Sequence, residues 1–442
     1  MVAFKKEGRM TNPRRLRGWI SGIRVLAIVM MLATIVTLPA RAQTFSVLHT
    51  FRRNPTDGMN PFLAPLVQDS AGNLYGTTMM GGHVWGCQRR GCGTIFKITG
   101  KQEKVLYRFN VGEPSYGLIE TTNGEFYGTA GYNAGAYGMG EVFEVSTEGS
   151  LKTIYSFMPA PDVAYPTSGV VQDAQGNFYG AAIAGGTFGF GGIFKIDTSG
   201  HETVVYSFAG RPSDVEYPQG NLTIDAAGNL YGTSLFGGPQ VCADNNTGCG
   251  NVFELAPNSD GSWTESILYT FCSLTNCIDG TWPYSGVIFD KSGNLYGTTE
   301  VSGNNRGGTV FKLTHNVDGS WTESTAYAFC SLARCLDGFG PLGGLVFDVS
   351  GNLYGTTSAG TLESKKCLTN EFNQYGCGTV FKLDTNNNET VLHRFDGLNG
   401  ATPYGGLLID GSGNLYGTTN NGGYLPCDYG YPGCGVVYKI SP

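Results

Sequence analysis

One phrase recurs seven times along these 442 residues, and it constrains the fold more than any single residue does. Its consensus is Pro-x-x-Gly-Leu-Val-x-Asp-x-x-Gly-Asn-Leu-Tyr-Gly-Thr-Thr, followed by Gly-Thr-Val-Phe-Lys-Leu and then Thr-Val-Leu-Tyr-x-Phe. The Asn-Leu-Tyr-Gly core starts at Asn73, Glu125 (a degenerate Glu-Phe-Tyr-Gly copy), Asn177, Asn229, Asn294, Asn352 and Asn414. Intervals of 52 to 65 residues indicate a supersecondary unit repeated in space. Each copy holds four short runs rich in Val, Ile, Leu, Tyr and Phe, separated by Gly, Asn, Asp and Pro, the pattern of antiparallel strands joined by turns. In the sixth copy they are Gly344–Asp348, Asn352–Thr357, Gly378–Leu383 and Glu389–Phe395. Helical periodicity competes nowhere after residue 42.

Four-stranded units repeated radially make a β-propeller, and the chain ends say how this one closes. Phe45–Phe51 matches the fourth run of a repeat, whereas the last run, Val436–Ile440, matches the third. The seventh copy therefore lacks a strand that the N-terminal run can supply. A seven-bladed all-β propeller of four-stranded antiparallel blades is expected, with an N-terminal strand closing the last blade and no open sheet edge.

Residues 1–42 read as a signal peptide: Arg14, Arg15, Arg17 and Arg24, the apolar run Val25–Leu38, then Ala40-Arg41-Ala42. The remainder, 43–442, reads as a single propeller domain with no C-terminal anchor. Of 28 Lys/Arg and 35 Asp/Glu, the first 42 residues hold eight and one, leaving 20 and 34, a net charge of −14. Such a surface repels phosphate backbones and disfavours nucleic acid as a partner. Membrane contact is expected only through an uncleaved signal segment.

Twelve cysteines fall into six neighbouring pairs: Cys87/Cys92, Cys242/Cys249, Cys272/Cys277, Cys330/Cys335, Cys367/Cys377 and Cys427/Cys434. An even count behind an export signal reads as disulfides and a secreted, periplasmic or cell-surface location. Zinc would need four converging ligands, and no His pair accompanies the cysteines. No metal or other cofactor is expected.

With strands lettered a to d from the axis outward, b–c and d–a connections share one face of a propeller. All six cysteine pairs map there, whereas the a–b turns opposite are short and uniform. Variable, stapled loops on a regular scaffold mark the binding face; the structural alternative is that long loops simply need pinning. Each d–a loop carries a proline (Pro61, Pro114, Pro166, Pro218, Pro283, Pro341, Pro403), and four residues before it an Asp or Asn: Asp57, Asn110, Asp162, Asp214, Asp279, Asp337 and Asn399. That recurrence reads first as an Asx turn and second as a ring for sugar hydroxyls or calcium, with Asp57, Asp279 and Asp337 as ligand candidates. Aromatic residues beside the same prolines, Phe62, Tyr116, Tyr165, Tyr217, Trp282, Tyr284, Phe339 and Tyr404, suit sugar rings or peptide side chains and equally suit packing between blades.

No catalytic set stands out. His49 and His393 occupy a d-strand place that is tyrosine in the other copies, His201 and His315 fall in c–d turns, and His83 lies in a loop of the binding face without a partner in sequence. No nucleophile elbow, His-Glu-x-x-His or phosphate loop is present. The phrases Gly-Leu-Val-x-Asp-x-x-Gly-Asn-Leu-Tyr-Gly-Thr-Thr and Gly-Gly-Thr-Val-Phe-Lys-Leu resemble the GloVer tandem repeat of exported bacterial proteins and, more loosely, NHL-type propeller repeats. The resemblance spans about residues 45–440 and implies a secreted or surface-associated protein without an assigned activity. NHL-like lyases and lactonases rely on His or metal clusters that these residues do not display. The expectation is a non-catalytic module binding carbohydrate or protein. A polysaccharide hydrolase or lyase, or a purely structural envelope protein, is the alternative.

Overall fold

The computed structural model describes residues 43–442, apart from 54–55, 83–86, 88–89, 115, 243–246, 361–366, 368–375, 424–426 and 428–432. The signal-peptide segment and His83 lie outside the described residues. Seven antiparallel blades follow one another along the chain, each four-stranded apart from blade 3, where Val163–Pro166 adds a fifth strand, beside a two-stranded ribbon, Gly58–Met59 with Met80–Gly81. Among the described residues there is no α-helix; two single 3₁₀ turns, Thr275–Cys277 and Ala333–Cys335, sit in d–a loops. Blade 6 is representative: Val346–Phe347, Leu353–Thr357, Thr379–Leu383 and Glu389–Arg394 pair in that order. The innermost strand is shorter than the sequence suggests, two residues rather than five, in blades 1, 3, 5, 6 and 7.

The ring closes as expected. Thr44–Thr50 pairs antiparallel with Val436–Ser441, Phe45 opposite Ile440 and Thr50 opposite Val436. Blade 7 thus takes its outer strand from the N-terminal side and its other three from the C-terminal side.

Each part of the repeated phrase has a mechanical duty. In blade 1 the Asp69 carboxylate accepts the backbone N–H groups of Ala71 and Asn73, the Asn73 amide at 2.7 Å and the Tyr75 hydroxyl at 2.9 Å. Asp173, Asp225, Asp348 and Asp410 repeat these bonds. The lysine of strand c, after Phe in four blades and after Tyr438 in the seventh, lies over the strand-b tyrosine, as with Lys97 5.1 Å from the Tyr75 ring. Tyr-x-Phe at the end of strand d joins the blades. Its buried phenylalanine meets the next blade's strand-c phenylalanine edge-on, as in Phe109–Phe143, Phe157–Phe194, Phe271–Phe311 and Phe329–Phe381. Phe51–Phe96 repeats that contact between blades 7 and 1, where the ring shuts. Edge-to-face pairs of this kind add roughly 0.5–1.5 kcal/mol each beyond burial.

At the axis the phrase's glycine is a steric requirement. A Cβ on Gly286 would lie 1.9 Å from the carbonyl oxygen of Asn221 in blade 4, and one on Gly117 would lie 3.0 Å from Pro65 in blade 1. Neighbouring strands converge there until backbone touches backbone.

Candidate functional site

The loop-rich face is stapled throughout. All six expected disulfides are present, four in b–c loops with Cα atoms 5.2 Å apart and two in d–a loops with Cα atoms 4.0 Å apart. Cys242 Sγ lies within 4.8 Å of Cys272 and Cys277 Sγ, which places a b–c and a d–a staple side by side on this face. All three sulfurs are oxidised in disulfides and offer no thiolate to a metal.

The b–c staples reach below the loops they close: Cys92, Cys249, Cys377 and Cys434 are wholly buried and present nothing to a ligand. Each stands two residues before its strand c, which begins at Thr94, Asn251, Thr379 or Val436. There the chain is already entering the blade. Cys92 packs with Ile95 and Phe109, Cys377 with Val380 and Phe395, and Cys434 with Phe51 and Val437. Every b–c disulfide thus ties its loop to the core beneath it, in keeping with the pinning role, rather than joining two surface points.

Below the loops, the Asx ring performs the turn duty. Asp279 and Asp337 are wholly buried and Asp57 is 6 % exposed, so these three ligand candidates do not face solvent. Asp279 accepts the Tyr269 hydroxyl at 2.8 Å and the Ser273 N–H at 2.9 Å. Asp337 accepts the Tyr327 hydroxyl and the Ser331 N–H, and Asp57 accepts the N–H groups of Arg52 and Gly58. His49 and His393 take the tyrosine's place, as the sequence suggested. His49 Nε2 stands 3.4 Å from Asp57, and the Asn399 amide donates to His393 Nε2 at 3.2 Å. His393 is also stacked on Phe45, and burial lowers its pKa to about 4.

A second carboxyl group that sequence reasoning missed faces five of these seven turns. Burial, then the neighbouring aspartate, raises Glu103 (beside Asp57), Glu323 (beside Asp279) and Glu389 (beside Asp337) to about 7. Burial and Asp162 raise Glu202, and burial and a hydrogen bond with Asp214 raise Glu265, to about 8. Arg108 and His49 oppose the shift at Glu103, and Arg394 opposes it at Glu389. The aspartate accepts fixed backbone donors, and burial beside it favours the protonated form of the glutamate. At the two remaining junctions the turn residue is neutral, Asn110 or Asn399, and the glutamate's register position holds Leu151 or Phe45. The pairing of acid with acid, and amide with hydrocarbon, was legible in the repeat alignment.

The aromatic candidates separate into three groups. Tyr116 and Tyr284 border an axial cavity of about 200 Å³, with Leu63, Asn221, Leu342 and Leu407 among its other walls. Burial pushes the Tyr116 hydroxyl pKa up, and Gln219 hydrogen-bonds it. Phe62 and Tyr404 meet edge-on at 5.4 Å, and Phe339 is buried. Trp282 is half-buried and packs on the core cluster around Tyr231, Cys249 and Phe271, which makes it a blade-packing residue. Tyr165 and Tyr217 lie on the rim: Tyr165 is stacked on Tyr132 at 4.6 Å, and Tyr217, 40 % exposed, meets Phe236 at 5.5 Å.

Rim position is imposed by the backbone. Six of the seven residues before the repeated prolines have left-handed φ: Asn60, Tyr165, Tyr217, Trp282, Gly340 and Thr402, between 51° and 64°. A non-glycine residue tolerates this only where its surroundings hold it. Trp282 N–H donates to Cys249 O at 2.9 Å in the preceding blade, and Trp282 O accepts Glu300 N–H at 3.0 Å from the following one. Asn60 and Thr402 make the same two bonds, their N–H groups donating to Cys434 O and Cys377 O. The buried cysteine of a b–c staple therefore also holds the strained residue of the next d–a loop.

Sequence reasoning also missed Tyr132, Tyr137, Phe188 and Phe190, which stand on the cysteine-free b–c loops of blades 2 and 3 and are 37–57 % exposed. Their signal was a set of aromatic residues within Gly-rich loops that carry no cysteine. Among the described residues, the exposed large apolar side chains gather on this face. Of those from Val111 to Leu398, only Val317 and Val349 belong to turns of the opposite face.

Similarity searches place this architecture among known proteins. The Gloeobacter/Verrucomicrobia repeat matches residues 29–243 and again 243–442. No curated protein matches. The similar solved structures are distant ones. XC5397 of Xanthomonas campestris, described as a gluconolactonase, is 15 % identical, with 68 % of this chain and 78 % of that one covered and a TM-score of 0.39. A Dyadobacter fermentans protein of unknown function is 10 % identical, with coverages of 91 % and 99 % and a TM-score of 0.47. The extracellular domain of BT4673 from B. thetaiotaomicron is 10 % identical, with coverages of 88 % and 40 % and a TM-score of 0.49. The chain belongs to the Gloeobacter/Verrucomicrobia repeat family.

Proposed function

We propose that this protein is an exported, non-catalytic binding module that takes carbohydrate or protein on its loop-rich face. The observation that supports this most is the one-sided distribution of exposed apolar side chains. A monomeric surface rarely gathers large aromatics on one side without a partner. Tyr132, Tyr137, Phe188 and Tyr217 present flat apolar faces in loops fixed by a rigid ring. Tyrosine combines such a face with a polar tip at small entropic cost, which suits sugar rings and peptide side chains alike. Disulfides in five of the seven blades accord with an oxidising compartment. Among the described residues, no helix is long and apolar enough to cross a membrane.

The test is a combined glycan and peptide array on the mature protein, followed by Tyr132→Ala and Tyr217→Ala. A hit should weaken by about tenfold or more in at least one variant, the contribution of one anchoring aromatic, with the unfolding midpoint unchanged. No hit on the array, or a hit indifferent to both substitutions, overturns the proposal. Release of reducing sugar or of an unsaturated product from a polysaccharide would replace it with a catalytic role.

A further inference from the structure

The opposite face carries a cleft whose natural occupant can be read from its sister blades. Blades 4 and 5 have long c–d hairpins in which Pro257 pairs with Trp263 and His315 with Trp321. Each tryptophan reaches back onto the preceding blade. Trp263 packs among Tyr179, Ile224, Leu230 and Leu255, with its ring 5.9 Å from that of Tyr179. Trp321 packs among Tyr231, Phe289, Leu295 and Leu313, with its ring 6.4 Å from that of Tyr231.

Blade 6 has the same wall without the tryptophan. Its strands c and d end at Leu383 and resume at Glu389, joined by a tight turn in which Asp384 N–H donates to Asn388 O. The residues equivalent to the two tryptophan beds, Tyr296, Phe347, Leu353 and Leu383, line a cleft of about 280 Å³ between blades 5 and 6. Blades 2 and 3 have short hairpins too but fill the gap from within. Phe126 and Phe178 stand where Leu353 stands, the first tilted against Tyr75 at 4.2 Å and the second stacked on Tyr127 at 4.4 Å. At the blade 5–6 junction leucine leaves the space open.

The lining carries three carboxylates and one ammonium. Asp290, Asp348 and Asp384 line the cleft against Lys291 alone, whose ammonium donates to Val349 O at 2.7 Å. For Asp290 and Asp348 burial works upward, but hydrogen bonds from Asn294 and Asn352 outweigh it and hold both below the usual carboxylate range, so they are anionic. Behind the lining, Lys312 lies over the Tyr296 ring and helps hold Asp290 down, and Lys382 lies over Tyr354 and does the same for Asp384.

We propose that the blade 5–6 cleft is a docking site for a tryptophan-type side chain on a basic peptide segment of a partner protein, seated as Trp263 and Trp321 seat themselves. The site is separate from the loop-rich face and stands or falls without it. Calorimetric titration with the peptides Lys-Trp-Lys, Lys-Ala-Lys and Glu-Trp-Glu tests it. Lys-Trp-Lys should bind about tenfold or more tighter than either other peptide, the weight of one buried aromatic and of complementary charge. Two variants close the cleft differently. Ser292→Trp inserts an indole from an exposed turn, and replacing residues 384–388 with residues 314–322 gives blade 6 its own tryptophan hairpin. Each folded variant should lose Lys-Trp-Lys binding by about tenfold or more, and the graft should also raise the unfolding midpoint. Absence of binding at millimolar peptide, equal binding of Lys-Ala-Lys or Glu-Trp-Glu, or binding that survives Ser292→Trp overturns the proposal.

Discussion

At the scale of single residues, this protein spends its chemistry on shape. The recurring aspartates, which in isolation suggest a ligand ring, are hydrogen-bond anchors for turns, and their partner glutamates hold protons. That arrangement predicts an unusual pH dependence. A glutamate at its ordinary value of 4.5 when unfolded, but at about 7 to 8 when folded, binds a proton in the folded state that the unfolded chain has released. The stability this contributes is complete below pH 4.5 and is lost as pH rises through 7 to 8. The thermal midpoint should therefore fall between pH 5 and pH 8.5 in low-phosphate buffer. Glu265→Gln, a permanent mimic of the protonated acid, should reduce that slope, and a midpoint flat across the range would refute protonated glutamates in the folded ring. The axial glycine offers a second residue-scale check. Gly286→Ala pushes a methyl group into Asn221 O and should cost about 1–3 kcal/mol in chemical denaturation, typical of overpacking.

At the scale of elements, stapled loops and strand ends share the load. The Cys272–Cys277 staple closes a loop with a sequence separation of 5. The chain-entropy account assigns such a short loop about 2–3 kcal/mol, so Cys272→Ser/Cys277→Ser should lower denaturant stability by that amount. Phe311, fully buried and edge-on to Phe271, joins blades 4 and 5. Phe311→Ala should cost about 3–5 kcal/mol, the usual loss for a buried aromatic. Several strands proved shorter than their apolar runs, because polar groups beside the inner strand serve neighbouring blades, as where Thr129 Oγ1 donates to Ser168 O, Thr233 Oγ1 to Ser285 O and Thr356 Oγ1 to Gly405 O.

For the whole molecule, the closing strand is decisive. Thr44–Thr50 pairs with Val436–Ser441, and Phe51 carries the inter-blade contact across the seam to Phe96. Removing residues 43–51 would leave strand Val436–Ser441 as a bare apolar edge. The truncated ring should unfold at lower denaturant and associate through that edge, both visible by circular dichroism and size-exclusion chromatography. Retention of full-length stability would mean that the ring does not depend on its latch.

The repeat alone determined blade number, strand order, the permuted closure and the cysteine pairing, because each is a matter of register along the chain. It also located the turn residues and read His49 and His393 as structural. Tertiary structure decided what register cannot express: which side chains remain exposed once blades pack. It buried Asp279 and Asp337, drew Cys92, Cys377 and Cys434 into the core, set Trp282 against it, and brought Tyr132 onto Tyr165 from a different loop. It also revealed an unfilled tryptophan bed, which exists only because two blades meet there and one hairpin is short. Exposure depends on neighbours distant in sequence, whereas the fold of a repeat depends on neighbours nearby.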